Sequence, residues 1–213
     1  MVLAPEIDDH SDSSASDVGD QRVILHAVSW DEYDKLCELF DERPGVRMTY
    51  LEGTLEIMVP SREHERRKTL TARLVEAYAD HFGIDLNGFG NTTYRRKAKK
   101  RGLEPDECYV LGEEDKDFPD IAIEVVQSRK INKLEVYRGL GVREVWSLEK
   151  GRFVVYVLEG TGDGACHATR EQSTLLPGLD LELVARFVGW QNQRKAVAAF
   201  REALVKAHDA NAR

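Results

Sequence analysis

Cysteine is scarce in this chain, with three in 213 residues, at positions 37, 108 and 166. The spacing and the odd number exclude a disulfide framework and a CxxC zinc site, so reduced, mostly buried thiols are expected. No apolar run approaches the ~20 residues that a membrane helix needs. The six histidines are scattered without metal-ligand spacing, and G-x-x-x-x-G-K-[ST], HExxH and G-x-S-x-G are all absent. Gly88-Phe89-Gly90 is too short to be a nucleotide-loop signature. Residues 1–21 have no Lys, Arg or aromatic residue and lack the basic patch and apolar segment of a secretory signal, so a cytoplasmic location is expected.

What is present is a core-forming composition, 42% hydrophobic and 32% charged, in a chain long enough for one domain and a tail. The net charge of −8 is concentrated at one end. Residues 1–21 carry six acids, and the remainder holds 32 acids against 30 bases. The Ser/Asp-rich tail cannot bury enough surface to offset its ordering entropy, which predicts a disordered 1–21 followed by a single domain, 22–213.

Helices and strands then alternate. A β-branched run at 22–28 precedes Ser29-Trp30-Asp31-Glu32, a capping box; Tyr33, Leu36, Cys37 and Phe40 follow on one helical face. A hairpin is expected around Glu52-Gly53, with Leu55, Ile57 and Val59 alternating in its second strand. Ser61 caps a helix over 62–82 that Gly83 ends. Strands dominate 84–126, and a helix is expected over 130–140. A hairpin follows around Lys150-Gly151, with another strand within 167–176 and a C-terminal helix over 186–208. The order predicts an α/β (α+β) fold, one sheet with helices against it.

The most informative residue is Glu124, inside the aliphatic strand Ile121-Ala122-Ile123-Glu124-Val125-Val126. A carboxylate in a strand buried on both faces costs several kcal/mol, by order of magnitude, unless paired, protonated or metal-bound. Alternation puts Asp120, Ala122, Glu124 and Val126 on one face. Asp106 opens the preceding strand, and adjacent strands lie about 5 Å apart, so Asp106 and Glu124 could share one hard divalent cation. The other reading is an internal pair of Glu124 with arginine. Lys133, nine residues on, could reach back from the first turn of the next helix, or lie solvated on the surface. His64, in the first turn of the 62–82 helix, is open to an acid–base role, a phosphate contact or simple helix-start polarity. Arg95, Arg96, Lys97, Lys99, Lys100 and Arg101 put six bases into seven residues, either a phosphate-contacting loop or a solvated one.

The segments "LEGTLEIMVPSREHE", "EPDECYV", "FPDIAIEVV" and "KLEVYRGLGVREVW" together resemble the Uma-type family of restriction-endonuclease-like proteins, a branch of the PD-(D/E)XK nuclease superfamily. The resemblance spans about 46–185. It implies a central mixed β-sheet flanked by helices, a Mg²⁺- or Mn²⁺-dependent endonuclease site, a nucleic-acid partner (DNA as the first expectation) and a homodimer. By the match Asp106 is the motif aspartate and Glu124 the second acid. Asp120, His64, Lys133 and Glu52 match further positions, giving Asp106, Glu124 and Asp120 as metal ligands and Lys133 and His64 as catalytic. One departure is plain: the superfamily's lysine two residues after the acid is Val126 here. Either Lys133 supplies the ammonium, or the protein is a catalytically inactive nucleic-acid-binding module on the same fold.

Overall fold

The computed structural model describes residues 19–40, 45–90, 92–113, 116–126 and 130–211. The tail expected to be disordered lies outside these up to residue 18. Asp20 and Gln21, however, belong to the fold, so its boundary falls earlier than the composition suggested: Gln21 begins strand β1 (Gln21–Leu25), opposite Val59.

Local chemistry fixes the first elements. Ser29 and Glu32 form a reciprocal box at the start of α1 (Trp30–Phe40), the Glu32 N–H donating to Ser29 Oγ at 3.2 Å and the Ser29 N–H to Glu32 Oε2 at 2.7 Å. β2 (Arg47–Leu51) and β3 (Thr54–Val59) form the expected hairpin, with positive φ at Glu52 and Gly53. Its faces are distributed differently from the expectation. Leu55 is buried, but so are Glu56 and Met58, while Val59 is 44% exposed. Glu56 is tolerated there because Arg22 of β1 donates to its Oε1 at 3.0 Å. Ser61 caps α2 (Arg62–Phe82) by accepting the His64 N–H, and left-handed Gly83 ends it.

β4 (Leu86–Gly88), β5 (Tyr94–Arg96), a 3₁₀ turn (Lys97–Lys99), β6 (Arg101–Leu103), β7 (Glu107–Leu111) and β8 (Ile121–Val126) follow. α3 (Lys133–Leu140), shorter than the 130–140 helix expected, leads to β9 (Glu144–Glu149) and β10 (Arg152–Glu159). β11 (Cys166–Arg170), α4 (Leu181–Val188) and α5 (Gln193–Asn211) complete the chain. The single C-terminal helix expected is thus two. Asp180 caps α4, and Asn192 accepts the Lys195 N–H to start a new helix after Gly189 and Trp190.

The fold is α+β and consistent with a restriction-endonuclease-like core. The described strands divide between two sheets, one antiparallel, in the order β1-β3-β2-β6-β5, and one mixed, in the order β11-β10-β9-β8-β7-β4. The parallel pair β8/β9 is joined by α3, the crossover that parallel neighbours require. Ile121, Ile123 and Val125 pack on the α2, α4 and α5 side, in a core with Leu70, Leu74 and Phe200. The opposite face of β8 turns toward α3: Ala122 packs there with Val136, Tyr137 and Leu140. α1 covers the first sheet through Tyr33, stacked on Tyr50 at 4.7 Å. Cys37 and Cys108 are buried thiols, Cys166 is exposed, and all three are free. No described helix is long and apolar enough to cross a membrane.

Candidate functional site

Antiparallel register brings the two principal acids together. Glu107 pairs with Ile123, so Asp106, one residue earlier, stands across from Glu124. Asp106 is fully buried, and its Oδ2 accepts the Val125 N–H at 2.7 Å. Oδ1 takes a hydrogen bond from Arg47 of β2 and lies 3.0 Å from His64 Nε2 in an ion pair. His64 Nδ1 lies 3.1 Å from Asp20 Oδ2, and the Ser61 N–H donates to Asp20 Oδ1 at 2.9 Å. The imidazole is therefore clamped between two carboxylates, with 1% of the residue exposed.

Glu124 is held from α3. Lys133 Nζ donates to Oε2 at 2.7 Å, and the Tyr137 hydroxyl donates to Oε1. The strand ends at Val126 and α3 begins at Lys133, so the helix's first turn stands over the strand's last residues and the lysine reaches back. Position 126 supplies no ammonium, and position 133 brings one to the same carboxylate.

The two acids titrate in opposite directions. Burial pushes Glu124 up, against the pull of the Lys133 ammonium, and the charge of Asp106 pushes it further. Burial acts on Asp106 too, but there His64, Lys133 and Arg47 together hold the carboxyl well below the usual carboxylate range. Burial alone would lower the pKa of His64; the carboxylates of Asp106 and Asp20 outweigh it and raise it to about 9, so the ring is an imidazolium at neutral pH. Neighbouring carboxyls with divergent pKa values are the pattern by which a site separates two roles.

Other expected residues lie elsewhere. Asp120 does not join Asp106 and Glu124. Its Oδ2 accepts from Lys116 at 2.6 Å and from the Leu111 N–H at 2.9 Å, and Arg143 approaches Oδ1 at 3.4 Å. Four residues of extended strand separate it from Glu124, about 13 Å at the usual rise. Glu52 sits at the hairpin turn, mostly exposed, 3.0 Å from Arg101. Much of the basic run is engaged within the fold. Arg95 pairs with Asp34 at 2.5 Å and Lys97 with Asp31 at 3.3 Å. Arg96 donates to the Gly139 carbonyl and lies over the Phe118 ring, while buried Arg101 donates to the carbonyls of Glu135 and Lys99. Lys99 and Lys100 are exposed on the turn.

Arg47, Asp20 and Tyr137 are parts of the cluster that sequence reasoning missed, as is Glu56, which borders the same cavity as Glu124, His64 and Lys133. Asp20 is one of six similar acids near the N-terminus, and nothing local distinguishes it. Tyr137 is visible only as a member of an apolar helix stripe. Glu56 did carry a signal, an acid flanked by Leu55 and Ile57 in a short strand.

Among the described residues, no group of three or more His, Cys, Asp or Glu is arranged to hold a metal ion. Two facing carboxylates nevertheless suit Mg²⁺ or Mn²⁺: a small hard cation keeps several waters and takes one or two protein carboxylates plus substrate phosphate. The donor chemistry of Asp106 and Glu124 fits such an ion.

A family model described as "Putative restriction endonuclease" (Uma2) matches residues 30–195, which include Asp106, Glu124, Lys133 and His64. No curated protein matches the chain.

Proposed function

The chain belongs to this restriction-endonuclease family, and from that premise we propose that it is a divalent-cation-dependent nuclease whose metal ligands are Asp106 and Glu124. The observation that carries the reading is the 2.7 Å contact between Lys133 and Glu124, which returns an ammonium to a site whose strand lacks one at Val126. When bound, a divalent ion polarises the scissile phosphate and acidifies a water. The chain's own groups do the rest. Lys133 orients the attacking water or donates to a phosphate oxygen as negative charge develops. Arg47 and His64 keep Asp106 ionised and fix its rotamer. Tyr137 fixes the second oxygen of Glu124. Exposed Lys99 and Lys100, beside a groove of about 690 Å³ that Arg101 and Arg138 also line, hold the nucleic-acid backbone. DNA as substrate, a homodimeric assembly and a cytoplasmic location belong to the same proposal.

The test is Mn²⁺-supported degradation of plasmid or single-stranded DNA by the full chain, compared with Glu124→Ala. The reading predicts cleavage that EDTA abolishes and that a folded Glu124→Ala protein lacks. Full cleavage by that variant removes Glu124 from the mechanism. A second reading is favoured by Val126 and by the mutual neutralisation of Glu124 and Lys133: a non-catalytic nucleic-acid-binding module. It predicts binding in EDTA that weakens steeply with salt and no cleavage under any metal.

A further inference from the structure

Glu124 borders a cavity of about 400 Å³ between the two sheets and the start of α3. Lys133 and His64 share its wall, and Ser147, the β9 partner of Glu124, lies beside them. The rest of the wall combines apolar side chains, including Met58, Ile131, Leu134 and Val145, with the charged Arg22, Glu56 and Lys130. Exposed Asn132 lines it too, one residue before α3. The acids themselves are deeply recessed: Asp106 is 0% and Glu124 4% exposed.

That recess discriminates between forms of nucleic acid. Duplex DNA is stiff over about 150 base pairs and carries its phosphates on the outside of a paired, stacked rod. A phosphate on such a rod meets the protein's outer surface, and the Asp106 carboxylate does not reach that surface. An unpaired strand turns at every nucleotide and can lower one phosphate, with its sugar and base, into a small cavity. A volume of about 400 Å³ is at the small-ligand end of binding sites, the scale of one nucleotide. The apolar side chains of the wall suit the faces of a base that has left its stack, and Arg22 and Lys130 suit its phosphate. A duplex would have to unstack and unpair a base to fill the same space, a cost that an unpaired strand does not meet.

We infer that the site takes an unpaired polynucleotide strand, such as a single strand, an overhang or a gap, with one nucleotide seated in the cavity beside Glu124. This rests on the nuclease reading for its cleavage but not for its binding preference.

The experiment compares a short fluorescein-labelled single strand, as DNA and as RNA, with the blunt duplex of the same sequence and with a duplex containing a central gap. Binding is read by fluorescence anisotropy in EDTA, and cleavage on gels with Mn²⁺. The inference predicts that an unpaired strand of at least one sugar type binds and is cut about tenfold better than the blunt duplex, with cuts in the gapped duplex confined to the gap. Asn132→Trp, which narrows the cavity from an exposed position, is expected to weaken single-strand binding severalfold and leave Mn²⁺ affinity by calorimetry unchanged. A blunt duplex bound and cut as well as the single strand overturns the inference and leaves the nuclease reading intact. Single-strand preference in anisotropy with no cleavage of any substrate sinks the nuclease reading and supports the inference. Equal binding of all the nucleic acids overturns it.

Discussion

Glu124 and Glu144 are buried glutamates on adjacent strands of one sheet, and they are held in opposite ways. Glu144 is fully buried and accepts five hydrogen bonds from uncharged donors: Trp146 Nε1 at 2.9 Å, Ser173 Oγ at 2.7 Å, Thr174 N and Oγ1 at 2.7 and 2.6 Å, and Leu175 N at 3.0 Å. These donors outweigh burial and bring its carboxyl below the usual range. Glu124 meets one ammonium and one phenol, faces another carboxylate and borders a cavity, and burial carries its carboxyl upward. Burial of an acid therefore does not mark a functional site. The Glu144 carboxylate, closed off by neutral donors, fastens the 173–175 segment, whereas Glu124 faces a second acid, is held by an ammonium and a phenol, and borders open space.

Substitution separates the two. Glu124→Gln is expected to remove all Mn²⁺-dependent cleavage while the protein still folds, whereas Glu144→Gln retains cleavage per folded molecule; a gel assay on both variants, normalised by circular dichroism, checks this. Lys133→Met should lower the cleavage rate by about 10²–10³, the usual range for removing one preorganised charge-stabilising donor. An unchanged rate in that variant would mean that the ammonium only neutralises Glu124. On stability the order reverses. Glu144→Gln places an amide NH₂ among donors and should destabilise the fold by about 1–3 kcal/mol, read as a lower urea midpoint. The 173–175 segment would be the first to lose hydrogen-exchange protection.

Because the folded-state carboxyl of Glu144 is depressed, its contribution is present above the unfolded glutamate value of 4.5 and is lost as pH falls through the folded value. Urea midpoints measured from neutral to acid pH should therefore fall more steeply in the wild type than in Glu144→Gln. The smallest effect belongs to Lys97→Ala. Its pair with Asp31 is about three-quarters exposed on both sides, and no measurable shift of the midpoint is expected.

The sequence made much of this arrangement readable. Caps at Ser29 and Ser61, the Glu52-Gly53 turn and the alternation along 121–126 are local signals, and the structure carries each of them. Glu124 stood out because an acid in a six-residue aliphatic strand has few explanations. Glu144 did not, because four of its five donors come from a loop about 30 residues later and only folding reveals them. Non-local pairing likewise hid Asp20 and Arg47, whose partners are 44 and 59 residues away. The basic run illustrates the converse: six bases in seven residues read as one phosphate-contacting or solvated loop, yet the β5–β6 hairpin turns Arg96 and Arg101 inward and leaves Lys99 and Lys100 outside. Asp120 shared a strand face with Glu124 by alternation, and distance along the strand took it to other partners.

Isothermal titration of Mn²⁺ into the wild type, Asp106→Asn, Glu124→Gln and the double variant tests most directly whether the facing acids form one cation centre. The account predicts saturable binding in the wild type that weakens by at least about tenfold in each single variant and vanishes in the double. Wild-type affinity in the folded double variant would contradict it.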